Sequence, residues 1–246
     1  MTVDRLVAGA CAVVALGALA TAAAIGGSTE SLGDGLADPL GPIDDPATTD
    51  QFLALYERAE RGEWWLDAQF ERRRGDDIGL VSDWQQVQDG QGDQLIAAFG
   101  GLTGTYDGRV IECGELADAK ALCDAGPAPD PEARFQRAIE LATEVVEPRT
   151  GEYTVARVPE RFIANREAEC FLLRRRPGAS SDLFGQEARY CFSEEAIPVL
   201  VVQQRGAVVD TRTARGVSTG VDDSDFVDLL ETRAEVSPST GVRSPS

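Results

Sequence analysis

Five cysteines divide this chain into two parts. Cys11 lies in an apolar N-terminal segment, and Cys113, Cys123, Cys170 and Cys191 follow at the spacing of hairpins. An apolar leader ahead of an even number of spaced cysteines predicts a domain exported to an oxidising compartment, which excludes most cytoplasmic enzyme classes. Four cysteines can pair in several ways. The spacing favours local pairing, Cys113 with Cys123 and Cys170 with Cys191, because the second pair sits centrally in two consecutive candidate strands. Each bridge would stabilise the fold by about 2–4 kcal/mol. No C-x-x-C occurs and the chain has no histidine, so structural bridges are expected rather than a redox or metal site.

Residues 6–25, which start at Leu6 and end at Ile25, carry no charge and follow Arg5. A helix of that length covers about 30 Å, enough for a bilayer core. Nine of the residues are alanine, so the hydrophobicity is modest. The segment reads as a retained single-span anchor, favoured by its length, or as a cleaved signal with small residues near Ala20 to Ala24. Lipidation at Cys11 is the weaker alternative, since few apolar residues precede it. Basic residues do not recur until Arg58, so Arg5 stays inside and the remainder goes outside. The expected location is the cell membrane with an extracytoplasmic domain, or secretion if the leader is cut.

The remainder is long enough for a sizeable core. Residues 1–27 form the leader, 28–47 a flexible acidic linker rich in Gly, Asp and Pro, 48–233 the folded domain, and 234–246 a Ser/Pro-rich disordered tail. The net charge of −19 excludes nucleic acid as a partner, because phosphate binding needs a basic face. Lys120 is the single lysine among 23 basic residues. With abundant Ala, Gly and Val, that bias fits a GC-rich, actinobacterial source.

Thr49 or Asp50 is expected to cap a first helix that ends at Gly62. Residues 63–72 then alternate, with Trp64, Leu66, Ala68 and Phe70 on one face, the pattern of a half-buried strand. Further strands are expected at 78–87, 94–99, 102–106, 109–114 and 120–123, with a hairpin turn at Asp107-Gly108. Asp130-Pro131 opens a second helix, in which Phe135, Ala138, Ile139, Ala142, Val145 and Val146 recur at helical spacing until Pro148 stops it. Strands follow at 152–158, 167–176, 187–193, 199–204 and 208–215. The class is α+β: an antiparallel meander of about nine to eleven strands with two main helices.

This layout resembles the lipoprotein-carrier-like superfamily: the LolA/LolB carriers, the LppX/LprG lipoproteins of mycobacteria and the RseB/MucB regulators. The resemblance rests on the aromatic strand Gly62-Glu63-Trp64-Trp65-Leu66-Asp67-Ala68-Gln69-Phe70 and the helix after the first half of the sheet. It also rests on the strands around Cys170 and Tyr190-Cys191-Phe192, and on the ending Asp223-Ser224-Asp225-Phe226. It implies a curved sheet, a half-barrel wrapped over helices, whose concave face shelters an acyl chain or another apolar ligand. Trp64, Leu66, Phe70, Trp84, Leu95 and Phe99 are the candidate lining of such a cavity, although core residues use the same side chains. The expected role is to bind a lipid or other amphiphile in the cell envelope; the alternative is a regulatory module that binds another envelope protein. No cofactor or metal is implied. Arg72-Arg73-Arg74 and Arg174-Arg175-Arg176 are expected to pair with carboxylates, with anionic headgroups as the alternative. No enzyme activity is expected. There is no histidine base, nucleophile elbow or phosphate-cradling loop, and carboxylate pairs such as Asp67/Glu71 or Glu194/Glu195 arise by chance among 42 acidic residues.

Overall fold

The computed structural model describes residues 39–114 and 124–235. The leader with Cys11, the strand expected at 120–123 and the tail after Glu235 lie outside the described residues. Among the described residues no helix is long and apolar enough to cross a membrane.

The chain runs α1 (Pro46–Glu60), β1 (Glu63–Arg74), β2 (Asp77–Asp89), β3 (Gln94–Ala98), β4 (Gly101–Tyr106), β5 (Arg109–Cys113), β6 (Asp124–Pro127), α2 (Pro131–Val146), β7 (Tyr153–Ile163), β8 (Arg166–Arg175), β9 (Glu187–Ser193), β10 (Pro198–Arg205), β11 (Val208–Ser218) and α3 (Asp223–Glu235). All eleven strands belong to one sheet in the order β6-β5-β4-β3-β2-β1-β11-β10-β9-β8-β7. Two antiparallel meanders are therefore joined along the β1–β11 seam, where Phe70 pairs with Arg212. This is the antiparallel α+β meander that the strand pattern predicts, curved into the half-barrel that the resemblance implies.

Helix α1 starts earlier than expected. Its cap is Asp45, whose carboxylate accepts the Thr48 N–H at 3.1 Å, with Pro46 in the first turn. Thr49, proposed as a cap, is buried inside the helix instead. The stretch before α1 is tied to β7: the Leu40 and Asp44 N–H groups donate to the Arg157 and Val155 carbonyls at 2.8 and 3.0 Å. The helix ends before Gly62, where a Cβ would lie 2.8 Å from the Arg58 carbonyl oxygen.

Period two makes one face of β1, that of Trp64, Leu66, Ala68 and Phe70, the inner face of the sheet. Phe52 of α1 docks on the same side of the second meander. Its ring lies 5.7–6.1 Å from those of Tyr56, Phe171, Phe184, Tyr190 and Phe192. Helix α2 adds Ala142, Val145 and Val146 to this core. The Arg61 guanidinium ties the two helices together, with two hydrogen bonds of 2.8 Å to Glu132.

The second meander buries its other face too. Val158, Cys170, Leu172, Cys191, Leu200 and Val202 form a further core. The edge strand β7 also approaches β11, so this half of the sheet is rolled. Cys170 and Cys191 are direct cross-strand partners with Cα atoms 4.0 Å apart, and they are disulfide-bonded as their spacing predicts. Cys113 is disulfide-bonded as well. Its expected partner, Cys123, lies outside the described residues.

Helix α3 was not anticipated. It begins with a reciprocal cap: Asp222 accepts the Ser224 N–H, and the Asp225 carboxylate accepts the Asp222 N–H at 2.9 Å. Phe226 and Leu229 cover Val87, Leu95, Ala97 and Leu102 on the outer face of the first meander. The Tyr106 hydroxyl donates to Asp223 at 2.7 Å and its ring stacks on Phe226.

Candidate ligand cleft

A partly open cleft of about 140 Å³ lies on the inner face at the β1–β11 seam. One wall is made by β1, β2 and β3. The other is made by β9, β10 and β11, and the last turn of α1 closes the end.

The first wall is aromatic. Trp64 is fixed by its indole N–H, which donates to the Ala59 carbonyl at 3.2 Å. Phe70 and Trp84 stack with centroids 6.0 Å apart, and Phe99 stands edge-on to Phe70 at 4.8 Å. Phe99 and Gly100 form the two-residue turn between β3 and β4, with φ of 53° and 78°. Both positions of such a turn need a left-handed backbone, which favours Asn, Asp or Gly and disfavours a bulky side chain. Phe99 is held there against its backbone preference, and its ring lines the cleft.

The second wall brings Tyr190, Phe192, Pro198 and Val201. Burial pushes the Tyr190 phenol up to about 12. Its hydroxyl accepts a hydrogen bond from the Gln203 amide at 2.8 Å.

Polar groups interrupt the apolar lining. Gln86 and Gln88 alternate with Val87 on β2, so both reach the inner face, and Gln94 follows on β3. The Gln88 amide donates to the carbonyls of Ala59 and Gly62, each at 2.8 Å, and its oxygen accepts from Gln94 at 3.0 Å. Those two glutamines tie the wall to α1. Arg212 projects from β11, its guanidinium 5.3 Å from the Trp84 ring centroid and its Nη1 donating to Gln86 at 3.1 Å. Burial lowers the Arg212 pKa to about 10, which leaves it cationic at neutral pH.

Of the six candidate residues, the fold brings Trp64, Phe70, Trp84 and Phe99 together around the cleft. Leu66 faces inward but is packed shut with Ala68 and Ala214. Leu95 is out of phase: Gln94 and Ile96 line the cleft, while Leu95 points to the outer face under α3. The glutamines and Arg212 were missed. The alternation of Gln86 and Gln88 on a strand paired with Trp64 and Leu66 was the available signal.

Arginines of both triplets are paired with carboxylates: Arg72 with Asp210, Arg73 with Glu71, Arg174 with Glu187, Arg175 with Asp182 and Arg176 with Asp44. The acidic pairs considered for acid–base work are engaged likewise, Asp67 with Arg215 and Glu195 with Arg166.

No protein-family model and no curated protein matches the chain. Solved structures do. MucB in complex with MucA is 16% identical over 73% of this chain and 58% of that one, with a TM-score of 0.47. The Pseudomonas aeruginosa MucA/MucB complex is 17% identical over 73% and 60%, with a TM-score of 0.40. The lipoprotein LppX of Mycobacterium tuberculosis is 12% identical over 72% of this chain and 98% of its own, with a TM-score of 0.42. The chain thus spans about three fifths of the MucB chains it matches. The likeness is one of fold, at identities too low to carry a function.

Proposed function

We propose that this chain is a non-enzymatic, extracytoplasmic binding protein of the cell envelope that holds the apolar part of a lipid or other amphiphile in the cleft at the β1–β11 seam. The observation that supports this most is the aromatic wall of Trp64, Phe70, Trp84 and Phe99, completed by a ring on a left-handed turn. The size limits the ligand. An apolar cavity of about 150 Å³ takes one benzene ring, so this cleft seats a ring or a short chain segment while the rest of the molecule leaves through the open side. Each methylene buried there contributes about 0.8 kcal/mol. In this reading the binding domain is residues 48–233 extended by the stretch from Leu40 that pairs with β7 and by the end of α3, the residues between it and the anchor or cleaved signal at 1–27 are its tether, those after Glu235 are a tail, and Cys113 pairs with Cys123.

A second reading, a regulatory module that binds another envelope protein, is favoured by one observation. Ile78, Leu80 and Val81 are 40%, 39% and 51% exposed on the arm of β2 beyond the cleft. MucB, among the matched structures, was solved with MucA.

Native mass spectrometry of the protein exported from an actinobacterial host, followed by organic extraction, separates the two. A stoichiometric amphiphile that leaves on extraction is the expected result. A bare protein mass that takes up no lipid when lipids are offered would overturn the first reading in favour of the second.

A further inference from the structure

Two arginines on neighbouring strands differ in what their forks hold. Arg72 points its Nε and Nη2 edge at Asp210, with bonds of 2.7 and 2.8 Å. Arg212, which pairs with Phe70 across the same seam, uses only Nη1, on Gln86. Its Nε is buried without a hydrogen-bond partner, and Nη1 is the atom of its fork that donates, to Gln86. The Glu60 carboxylate acts on Arg212 through its charge. The Nε edge belongs to a side chain of the cleft wall, above the indole of Trp84 and beside Phe70 and Val201.

Nε and Nη2 on one edge of a guanidinium present parallel N–H groups, which match the two oxygens of a carboxylate or phosphate. A buried donor without an acceptor is costly, and a neutral ligand atom can satisfy only part of the edge. The apolar surface on either side of that edge asks for a ring or chain attached to the anion. Resting on the reading of the cleft as a ligand site, we propose that it selects anionic amphiphiles. The oxyanion head, carboxylate or phosphate, is received on the Nε and Nη2 edge of Arg212, and the apolar body lies against Trp84, Phe70 and Phe99. The net charge of −19 works against anions at long range, so the selectivity is local to this edge.

The test is calorimetric titration of the exported protein with benzoate, phenyl phosphate and benzamide, the last being neutral and of benzoate's shape, and with inorganic phosphate. The wild type is expected to bind benzoate and phenyl phosphate at least about tenfold more tightly than benzamide, the scale of a charge-assisted hydrogen-bond pair. Inorganic phosphate is expected to bind more weakly than phenyl phosphate. Arg212→Gln should erase the preference; Arg212→Lys, which keeps the charge and loses the fork, should fall between. Benzamide binding as tightly as benzoate, or a preference that survives Arg212→Gln, would overturn the proposal while leaving the cleft a binding site. No binding of any aromatic probe would overturn both. Inorganic phosphate matching phenyl phosphate would remove the apolar body from the proposal. The comparison of probes in the wild type decides the matter even if the variant fails to fold.

Discussion

The two meanders use the same strand pattern to different ends. In β8, β9 and β10 both faces are filled, and Phe171, Cys170, Leu173 and Cys191 are wholly inaccessible to solvent. A disulfide crosses that half directly between partnered residues. In β1, β2 and β3 the outer face is closed by α3, but the inner face is left partly open and carries Gln86, Gln88 and Gln94. The second meander thus supplies stability and a rigid wall. In the proposed reading the first gives up some burial to keep a ligand surface, and a site needs both, since one fixed wall defines where the other must meet a guest.

That contrast can be broken by substitution. Phe52→Ala or Phe171→Ala should cost about 3–5 kcal/mol in urea unfolding, as for large rings removed from a filled core. Trp84→Ala should cost under about 2 kcal/mol while abolishing amphiphile uptake. Equal costs would mean that the two halves do not divide the work. Replacing Cys170 and Cys191 together by Ala should lower stability by about 2–4 kcal/mol. Losing the cap in Asp45→Ala should cost about 1 kcal/mol, read in the same assay.

A smaller effect concerns the docking of α3. The hydrogen bond to Asp223, with burial second, raises the Tyr106 pKa to about 12. Between an unfolded value of about 10 and that one, the unfolded chain has shed the phenolic proton and the folded chain keeps it. Stability is therefore full below about pH 10 and falls as pH rises through the folded pKa. Tyr190, raised by burial to about 12, adds to the same slope. Tyr106→Phe should flatten the decline of the urea midpoint across this window, and an unchanged slope would argue that α3 is not held through that hydroxyl.

Much of this was legible in the residues. The run from Trp64 to Phe70 fixes both a strand and its buried face, because a period of two leaves no other assignment. Cys170 and Cys191, central in consecutive strands, name their own register. The phase of β3 was not legible: Leu95, Ile96, Ala97 and Ala98 are all apolar, and both faces of that strand are covered, so nothing in the pattern says which face meets the cleft. Helix α3 was hidden by its acidic start, read as the end of the domain, although Asp222 and Asp225 form a capping pair. Arg212 could not be singled out among so many arginines, since its place on the cleft wall with an unpartnered Nε is set by the fold.

The turn at Phe99 carries a consequence for anyone who would improve this protein. An asparagine there would relieve about 1 kcal/mol of left-handed strain, and a search guided by thermal tolerance or turn statistics would favour that change. What it would discard is the ring that narrows the cleft. If the cleft binds as proposed, the residue is a concession of sturdiness to selectivity, and such concessions are the first thing lost when a binding protein is optimised for shelf life.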